Sequence, residues 1–196
     1  MSIKTIKITT ERAVEKIKVK NSGTYLLVGL DGGSIDLEVT LENENTSFEL
    51  YGIIIGRNTD SYKVNVISHH KVGNALSRVH IKAVLFDKSS FDFNGLIKID
   101  PGAVLSDAYL KNDNLLIGED AVVNSSPQLE IKADDVKASH GVTISTISDI
   151  DQFYLKSRGL PDQESKELLV EGFINEILQL SSAEVDVKSL VARQNI

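Results

Sequence analysis

The change from strand to helix in this chain is centred on one stretch, Pro127-Gln-Leu-Glu-Ile-Lys-Ala-Asp-Asp-Val-Lys-Ala-Ser-His-Gly141. Apolar residues alternate with polar ones at Leu129 and Ile131, and the pattern reaches Val136. From Ile150 onward the apolar residues recur at helical spacing instead. The stretch therefore predicts the end of a sheet-like segment, with His140 exposed where that segment stops, and a helical segment after it.

Strand-like segments precede this stretch and are separated by turn residues at intervals of roughly ten to twelve residues. A short edge strand is indicated where Ile17 and Val19 alternate with charged neighbours. Longer strands are predicted over residues 25–30, 35–41, 47–55, 61–68, 76–86 and 91–99. That spacing is compatible with a sandwich, a barrel or a β-helix. Short apolar groups beyond Val104, without an Asn-Gly hairpin signal, favour the stacked rungs of a β-helix.

Residues 148–196 are predicted to be a helical segment that follows a β core over residues 1–147. Ser148 is a candidate N-cap, Gly159 a candidate C-cap, and Pro161 suits the first turn of a second helix. A last helix is indicated over residues 184–192. We expect the first strands and these helices to cover the two ends of the β core, because an open sheet edge is prone to aggregate.

The composition is that of an ordinary globular domain, with 41% hydrophobic and 25% charged residues in a chain of 196 residues. The formal net charge of -7 and the lack of a block of Lys and Arg argue against a nucleic-acid-binding protein. No apolar run reaches the ~18 residues of a membrane-spanning helix, and the first residues lack the apolar core of a signal peptide. We therefore expect a cytoplasmic protein that binds neither nucleic acid nor a membrane.

The sequence contains no cysteine. Without a thiolate the chain cannot carry a persulfide or hold an iron–sulfur cluster through the usual cysteine ligands. Any metal role must therefore use His, Asp or Glu side chains. The sequence also lacks a P-loop, a dinucleotide-binding glycine fingerprint and a Gly-x-Ser-x-Gly elbow, so we expect neither ATP hydrolysis nor serine-hydrolase chemistry from this chain.

Several ordered motifs carry a family resemblance. Residues 129–137, Ser139-His140-Gly141 and residues 153–160 follow one another as in the core of the SufB/SufD family of iron–sulfur cluster assembly scaffolds, which this sequence resembles over roughly residues 60–180. Upstream matches lie in the same order, at His69-His70, Ser77, the Phe93-Asn94-Gly95 turn and Asn114-Leu-Leu-Ile-Gly118. The resemblance implies a mainly β protein, a right-handed parallel β-helix with a C-terminal α-helical segment.

A non-enzymatic scaffold is the function that the resemblance implies. The implied partners are a SufC-like ABC ATPase, docked on the carboxy-terminal helices, and a SufB-like paralogue or a second copy of this chain. An iron–sulfur cluster would bind transiently at a subunit interface, and flavin binding is left open. The SufB branch has an essential cysteine where this chain has Ala121, so the resemblance is to a SufD-like short form without the family's amino-terminal helical extension.

His140 is the candidate iron or cluster ligand, because SufD-like proteins have a functionally implicated histidine in this Ser-His-Gly and a neutral imidazole can ligate iron. A carboxylate such as Glu130, Asp134 or Asp135 could orient its second ring nitrogen. The alternative is a structural histidine whose ring bonds a backbone carbonyl and caps the last rung.

The other histidines are interpreted as structural. His69 and His70 are adjacent, so on a strand they point to opposite faces and cannot ligate one ion together without a bulge. They are interpreted as marking a turn. His80 lies on an alternating strand and is interpreted as a surface residue.

The second helix is the candidate partner-binding element, through Phe173, Ile174, Ile177 and Leu178. Its apolar stripe is wider than contact with the end of a β-helix requires, so one side is expected to cap the core, with Phe173 as anchor, and the other to bind the ATPase. One alternative is an adaptor or structural β-helix protein that keeps the ATPase dock but has lost cluster assembly. A polysaccharide-acting hydrolase is a more distant alternative, because the sequence does not place its paired carboxylates.

Overall fold

The structure is a computed structural model that describes residues 3–181. In that part of the chain, parallel strands are followed by two helices. The strands are β1 (Lys4–Lys7), β2 (Ala13–Val19), β3 (Gly23–Gly29), β4 (Gly33–Leu41), β5 (Ser47–Gly56), β6 (Ser61–His70), β7 (Leu76–Leu85), β8 (Ser90–Ile99), β9 (Asp107–Leu116), β10 (Val122–Ile131) and β11 (Lys137–Thr146). The helices are α1 (Asp149–Ser157) and α2 (Asp162–Ser181).

Each strand pairs in parallel with the strand two places along the chain. The odd-numbered strands therefore form a six-stranded sheet and the even-numbered strands a five-stranded sheet. A chain that alternates between two parallel sheets in this way winds as a β-solenoid. The prediction of a parallel β-helix with a helical segment after it is confirmed.

The interior of the solenoid is filled by the inward-facing residues of both sheets, at alternate positions along each strand. Gly95 belongs to this interior, because it lies within β8 and not in the turn that the sequence suggested. A Cβ at this position would come within 2.4 Å of Leu110 Cδ1. A glycine is needed here because the Leu110 side chain occupies the space that any larger residue would fill.

Helix α2 lies along the outer face of the six-stranded sheet and contacts β3, β5 and β7. The buried residues of this contact are Leu26, Tyr51, Ile53, Ile55, Val84, Phe86 and Leu115 on the sheet and Val170, Ile174, Ile177 and Leu178 on the helix. The expectation that the described helices cover an end of the solenoid is therefore wrong. The middle strands of the six-stranded sheet carry apolar side chains on their outer face as well as on their inner face, and α2 covers the outer ones.

Lys82, which lies on β7 under α2, links the helix to the sheet through hydrogen bonds. Its side chain is 4% exposed, and its Nζ donates to the Phe173 carbonyl oxygen at 2.8 Å and to the Glu176 carboxylate. The hydrogen bond from Lys82 holds the pKa of Glu176 below its usual range. Phe173 is half-buried and packs against the edge of this cluster, with the ammonium 4.3 Å from its ring centre. Val170, Ile174 and Ile177 are buried more deeply.

The helix ends follow the capping residues that the sequence indicated. The Ser148 side chain accepts a hydrogen bond from the Asp151 backbone N–H at 3.3 Å and caps α1. Gly159, with a φ of 93°, follows the C-cap Arg158 in the left-handed conformation that glycine favours. Pro161 directly precedes α2. The helix expected over residues 184–192 lies outside the described residues.

Candidate functional site

The last turn of the solenoid is open at the carboxy end. Strands β10 and β11 each pair with one preceding strand, β8 and β9, and no further strand among residues 3–181 pairs with them. Their inward-facing side chains are in register with core residues, but no further turn formed by the described residues stacks on them. Four large apolar side chains are exposed there: Leu129 (38%), Ile131 (41%), Val142 (36%) and Ile144 (53%). We call this surface, with His140, the carboxy face.

His140 lies in the middle of β11, which runs on to Thr146. The expectation that the sheet-like segment ends at Ser-His-Gly is therefore wrong, because the β-branched residues after Gly141 continue the strand. His140 pairs with Leu110, a fully buried core residue, so its imidazole points the same way, along the inward face. The side chain is exposed because no further turn of the part of the chain that the structure describes covers it.

The ring nitrogens of His140 make no hydrogen bond with any residue of the described chain, neither with a backbone carbonyl nor with Glu130, Asp134 or Asp135. Within residues 3–181 no group of three or more His, Asp or Glu side chains is placed to hold a metal ion. Among the described residues His140 is thus a single imidazole on the carboxy face, and a metal bound there needs further ligands from outside residues 3–181.

The amino end of the solenoid is built differently. Lys4 pairs with Tyr25, and Glu15 pairs with Leu37, so both charged side chains occupy inward-facing positions of the first strands. Inward-pointing charges are a common means of preventing sheet edges from associating. The two open ends of the solenoid therefore differ, with charges at the amino end and apolar groups and an imidazole at the carboxy end.

His69 and His70 close strand β6 and point to opposite faces, as expected for neighbours on a strand. His70 is fully buried, and its Nε2 lies 2.8 Å from Ser77 Oγ. His69 is on the outer face, with its Nε2 3.0 Å from Asp100 Oδ1. Both histidines lie on β6, whereas His140 lies on β11. Each has its own side-chain partner and neither contacts His140.

The free energy of unfolding is expected to depend on pH through His70. Burial, together with repulsion from His69, lowers the pKa of His70 from 6.5 to about 4. The unfolded chain therefore takes up a proton before the folded chain does as the pH falls. The contribution of neutral His70 to the free energy of unfolding is fully present above pH 6.5 and is lost as the pH falls toward 4. At 1.36 kcal/mol per pKa unit, this loss is about 3 kcal/mol.

Denaturant unfolding measured between pH 7 and 4 tests this prediction. His70→Asn keeps an amide that can bond Ser77 but cannot titrate, so the fall in stability over this range should be much smaller in the variant. An equal fall in both proteins would show that other groups cause it.

His80 is buried, and the expectation of a surface residue is wrong. Its Nε2 lies 2.8 Å from Asp113 Oδ2, on the outer face of the six-stranded sheet. Burial alone would raise the pKa of Asp113, but hydrogen bonds from His80, Lys111 and Thr143 outweigh it and hold that pKa below its usual range. No sequence pattern indicates this pair, because its members are 33 residues apart on different strands.

The helices carry two kinds of apolar residue. Ile174, Ile177 and Leu178 are buried against the chain's own sheet, so they anchor α2 and do not form a free surface. The exposed apolar side chains of this segment are Ile150, Phe153, Tyr154, Leu168 and Leu180. Helix α1 has no buried residue at all. Neither helix has the length and apolar composition needed to cross a membrane.

Comparison with known proteins identifies the family. Residues 2–173 match the family described as "SUF system FeS cluster assembly, SufBD core domain". The chain is 33% identical to the iron–sulfur cluster assembly protein SufD of Escherichia coli over 165 residues, 83% of this chain and 39% of that protein. The corresponding protein SufD of Bacillus subtilis is 30% identical over 83% of this chain and 37% of its own length.

A SufBD family protein of Synechocystis is 34% identical over 73% of this chain and 32% of its own length. The chain thus spans less than two fifths of the curated relatives described here. The family match covers all the described strands of the solenoid and most of the described helical segment. On these grounds the chain belongs to the SufBD family of iron–sulfur cluster assembly proteins.

Proposed function

We propose that this chain is a non-enzymatic scaffold subunit of the Suf machinery that works in the cytoplasm with a SufB-like paralogue and a SufC-like ABC ATPase. Family membership supports the process, iron–sulfur cluster assembly. The observation that carries the scaffold role is the carboxy face, where apolar side chains and one imidazole share the uncovered end of two sheets. Exposed apolar patches of this kind mark interaction sites.

Pairing through the carboxy face would provide partners for the backbone groups and apolar side chains that are uncovered in the isolated chain. The outer edges of β10 and β11 offer backbone groups to a partner's strands, and the four exposed apolar side chains would be buried in the contact. The partner is a SufB-like paralogue, or a second copy of this chain. The charged amino end does not offer such a surface, which favours a closed pair over an open chain of subunits.

The cluster would form at this interface as a transient cargo. This chain contributes the His140 imidazole, and the thiolate ligands must come from the paralogue because the sequence here has no cysteine. Burial in the interface would place the imidazole in a dry environment next to those thiolates. The chain's own role is to hold that nitrogen in position.

Iron retention by the pair tests the proposal. His140→Ala is expected to lower the iron bound per complex at least about tenfold, the scale on which loss of a ligand contact acts. Pairing should be unchanged, because the side chain is exposed and packs little. Iron is measured by metal analysis of the complex with the cysteine-bearing paralogue after gel filtration.

His69→Ala is the control, since this histidine contacts Asp100 on the outer face of the solenoid. It should retain iron as the wild type does. Equal iron contents in all three proteins would remove His140 from the site, and loss of pairing together with iron in His140→Ala would give it a structural role.

The ATPase dock is proposed to lie on the exposed side of the helices. Phe153 and Tyr154 are 75% and 56% exposed on α1. Replacing both with alanine is expected to weaken ATPase binding by about tenfold or more, while the melting temperature stays nearly constant because α1 buries no side chain. Calorimetric titration with the ATPase measures the affinity, and an unchanged value would place the dock elsewhere.

An adaptor that keeps the ATPase dock without cluster work is the second candidate. Ala121 and the absence of any thiol favour it, since the chain alone lacks the usual cluster ligands. The iron measurement separates the two functions, because an adaptor would show the same iron content with and without His140.

A further inference from the structure

We propose that Thr143 is a positioning residue that holds the terminal strand β11 in the geometry needed for pairing, through two hydrogen bonds with side chains of the preceding turn. The effect on pairing rests on the proposed function, whereas the effect on the strand itself does not. Strand β11 needs such support because only β9 pairs with it among the described strands. Edge strands with one neighbour open more readily than central ones.

Thr143 is bonded from both sides of its strand. On the outer face its Oγ1 donates to Asp113 Oδ1 at 2.7 Å. Its carbonyl oxygen accepts from Asn114 Nδ2 at 3.0 Å. The neighbouring Ser145 Oγ adds a bond to the Asn114 carbonyl oxygen at 3.3 Å. The middle of β11 is thus tied to two consecutive side chains of β9 besides the regular backbone ladder.

Asp113 is itself rigidly held, which makes it an effective acceptor. Its Oδ2 accepts hydrogen bonds from His80 Nε2 and from Lys111 Nζ, both at 2.8 Å. The carboxylate is 5% exposed, and such burial is costly unless every oxygen is satisfied. Loss of the Thr143 hydroxyl leaves Oδ1 without a side-chain donor. The hydrogen bond from Thr143 is therefore charge-assisted and stronger than that of a surface threonine.

Asn114 extends the same network into the interior and to the other sheet. It is fully buried, and its Nδ2 also donates to Asn112 Oδ1 at 2.9 Å. Asn112 Oδ1 in turn accepts from Ser125 Oγ on β10 at 2.9 Å. Both strands of the carboxy face, β10 and β11, are therefore joined through buried asparagines.

The order of β11 in the free chain affects how tightly the carboxy face can bind a partner. His140, Val142 and Ile144 lie on β11 on either side of Thr143, at the inward positions that form part of the carboxy face. A strand that is already ordered binds with a smaller loss of conformational entropy than one that must be ordered on binding. Thr143 acts through the strand, because its side chain lies on the outer face and not on the carboxy face.

Thr143→Val, which keeps the shape and removes the hydroxyl, tests the inference in two measurements. Amide hydrogen exchange of the free chain should become about tenfold faster in β11 and stay unchanged in β5. The dissociation constant for the cysteine-bearing paralogue should rise about tenfold. Thr143→Ser restores the hydroxyl and should restore both values.

The control is Ser139→Ala, on the same face of β11, whose side chain makes no hydrogen bond with the described residues. It should leave exchange and affinity unchanged. Equal exchange rates in Thr143→Val and wild type, or faster exchange throughout the solenoid, would overturn the inference. If the wild type does not pair at all, the proposed function fails, and exchange in β11 still decides whether Thr143 holds the strand.

Discussion

Ile144→Glu is expected to abolish pairing while leaving the isolated chain folded. Ile144 has the most exposed large apolar side chain of the carboxy face, so the change removes little packing within the chain. In a complex, the same position would bury a carboxylate without a partner, which costs several kcal/mol. The dissociation constant should therefore rise at least about a hundredfold, at 1.4 kcal/mol per tenfold change.

Val14→Glu provides the matched control for this experiment. Val14 is also an exposed β-branched residue on a terminal strand, 61% exposed on β2 at the amino end. Sedimentation velocity with the paralogue, and of the chain alone over a range of concentrations, measures both kinds of pairing. Equal effects of the two substitutions would mean that the carboxy face is not the specific contact.

Ile177→Ala is expected to lower the free energy of unfolding by about 2–5 kcal/mol, the range found for truncation of buried aliphatic side chains. Ile177 is fully buried between α2 and the outer face of the six-stranded sheet, where loss of its side chain leaves a cavity. The loss should be large because the hydrogen bond from Lys82 to α2 limits how far the helix can move toward the sheet to fill the cavity.

Leu168→Ala on the same helix is the comparison, because that side chain is 47% exposed. Its cost should remain within about 0.5 kcal/mol. Denaturant unfolding of both variants, followed by circular dichroism, measures the difference. Equal costs would contradict the placement of α2 on the sheet.

The strands of the first part of the chain could be predicted because turn residues separate them at regular intervals. The six ranges expected between residues 25 and 99 agree with β3 to β8 within a few residues. The last three strands were harder to recognise. In β9 and β10 the inward positions include Asn112, Asn114 and Ser125, so the apolar alternation breaks where the interior is polar.

The apolar stripe of α2 could be recognised in the sequence, but the surface against which it packs could not. A signal was present in β5 and β7, where Ile53-Ile-Ile55 and Ala83-Val-Leu85 are continuous apolar runs. Such runs are typical of parallel strands that are buried on both faces. They indicate that something covers the outer face of this sheet, and α2 is that cover.

His140 was recognised through its motif, whereas its surroundings depend on the register of β11. Glycine after it suggested a strand end, but only the pairing with Leu110 shows that the imidazole occupies an inward position. No local pattern predicts that no further strand of residues 3–181 stacks on β11 and that this inward position is exposed. The pair formed by His80 and Asp113 was missed for the same reason, since it arises from strand register.

Native mass spectrometry of this chain mixed with the cysteine-bearing paralogue, iron and a sulfide source tests the scaffold role most directly, because one spectrum gives the subunits and the bound iron and sulfur together. We predict a complex that contains both chains and an iron–sulfur cluster, and a loss of the complex with Ile144→Glu. A paralogue that assembles the same cluster alone, with this chain remaining a separate cluster-free species, would contradict the account.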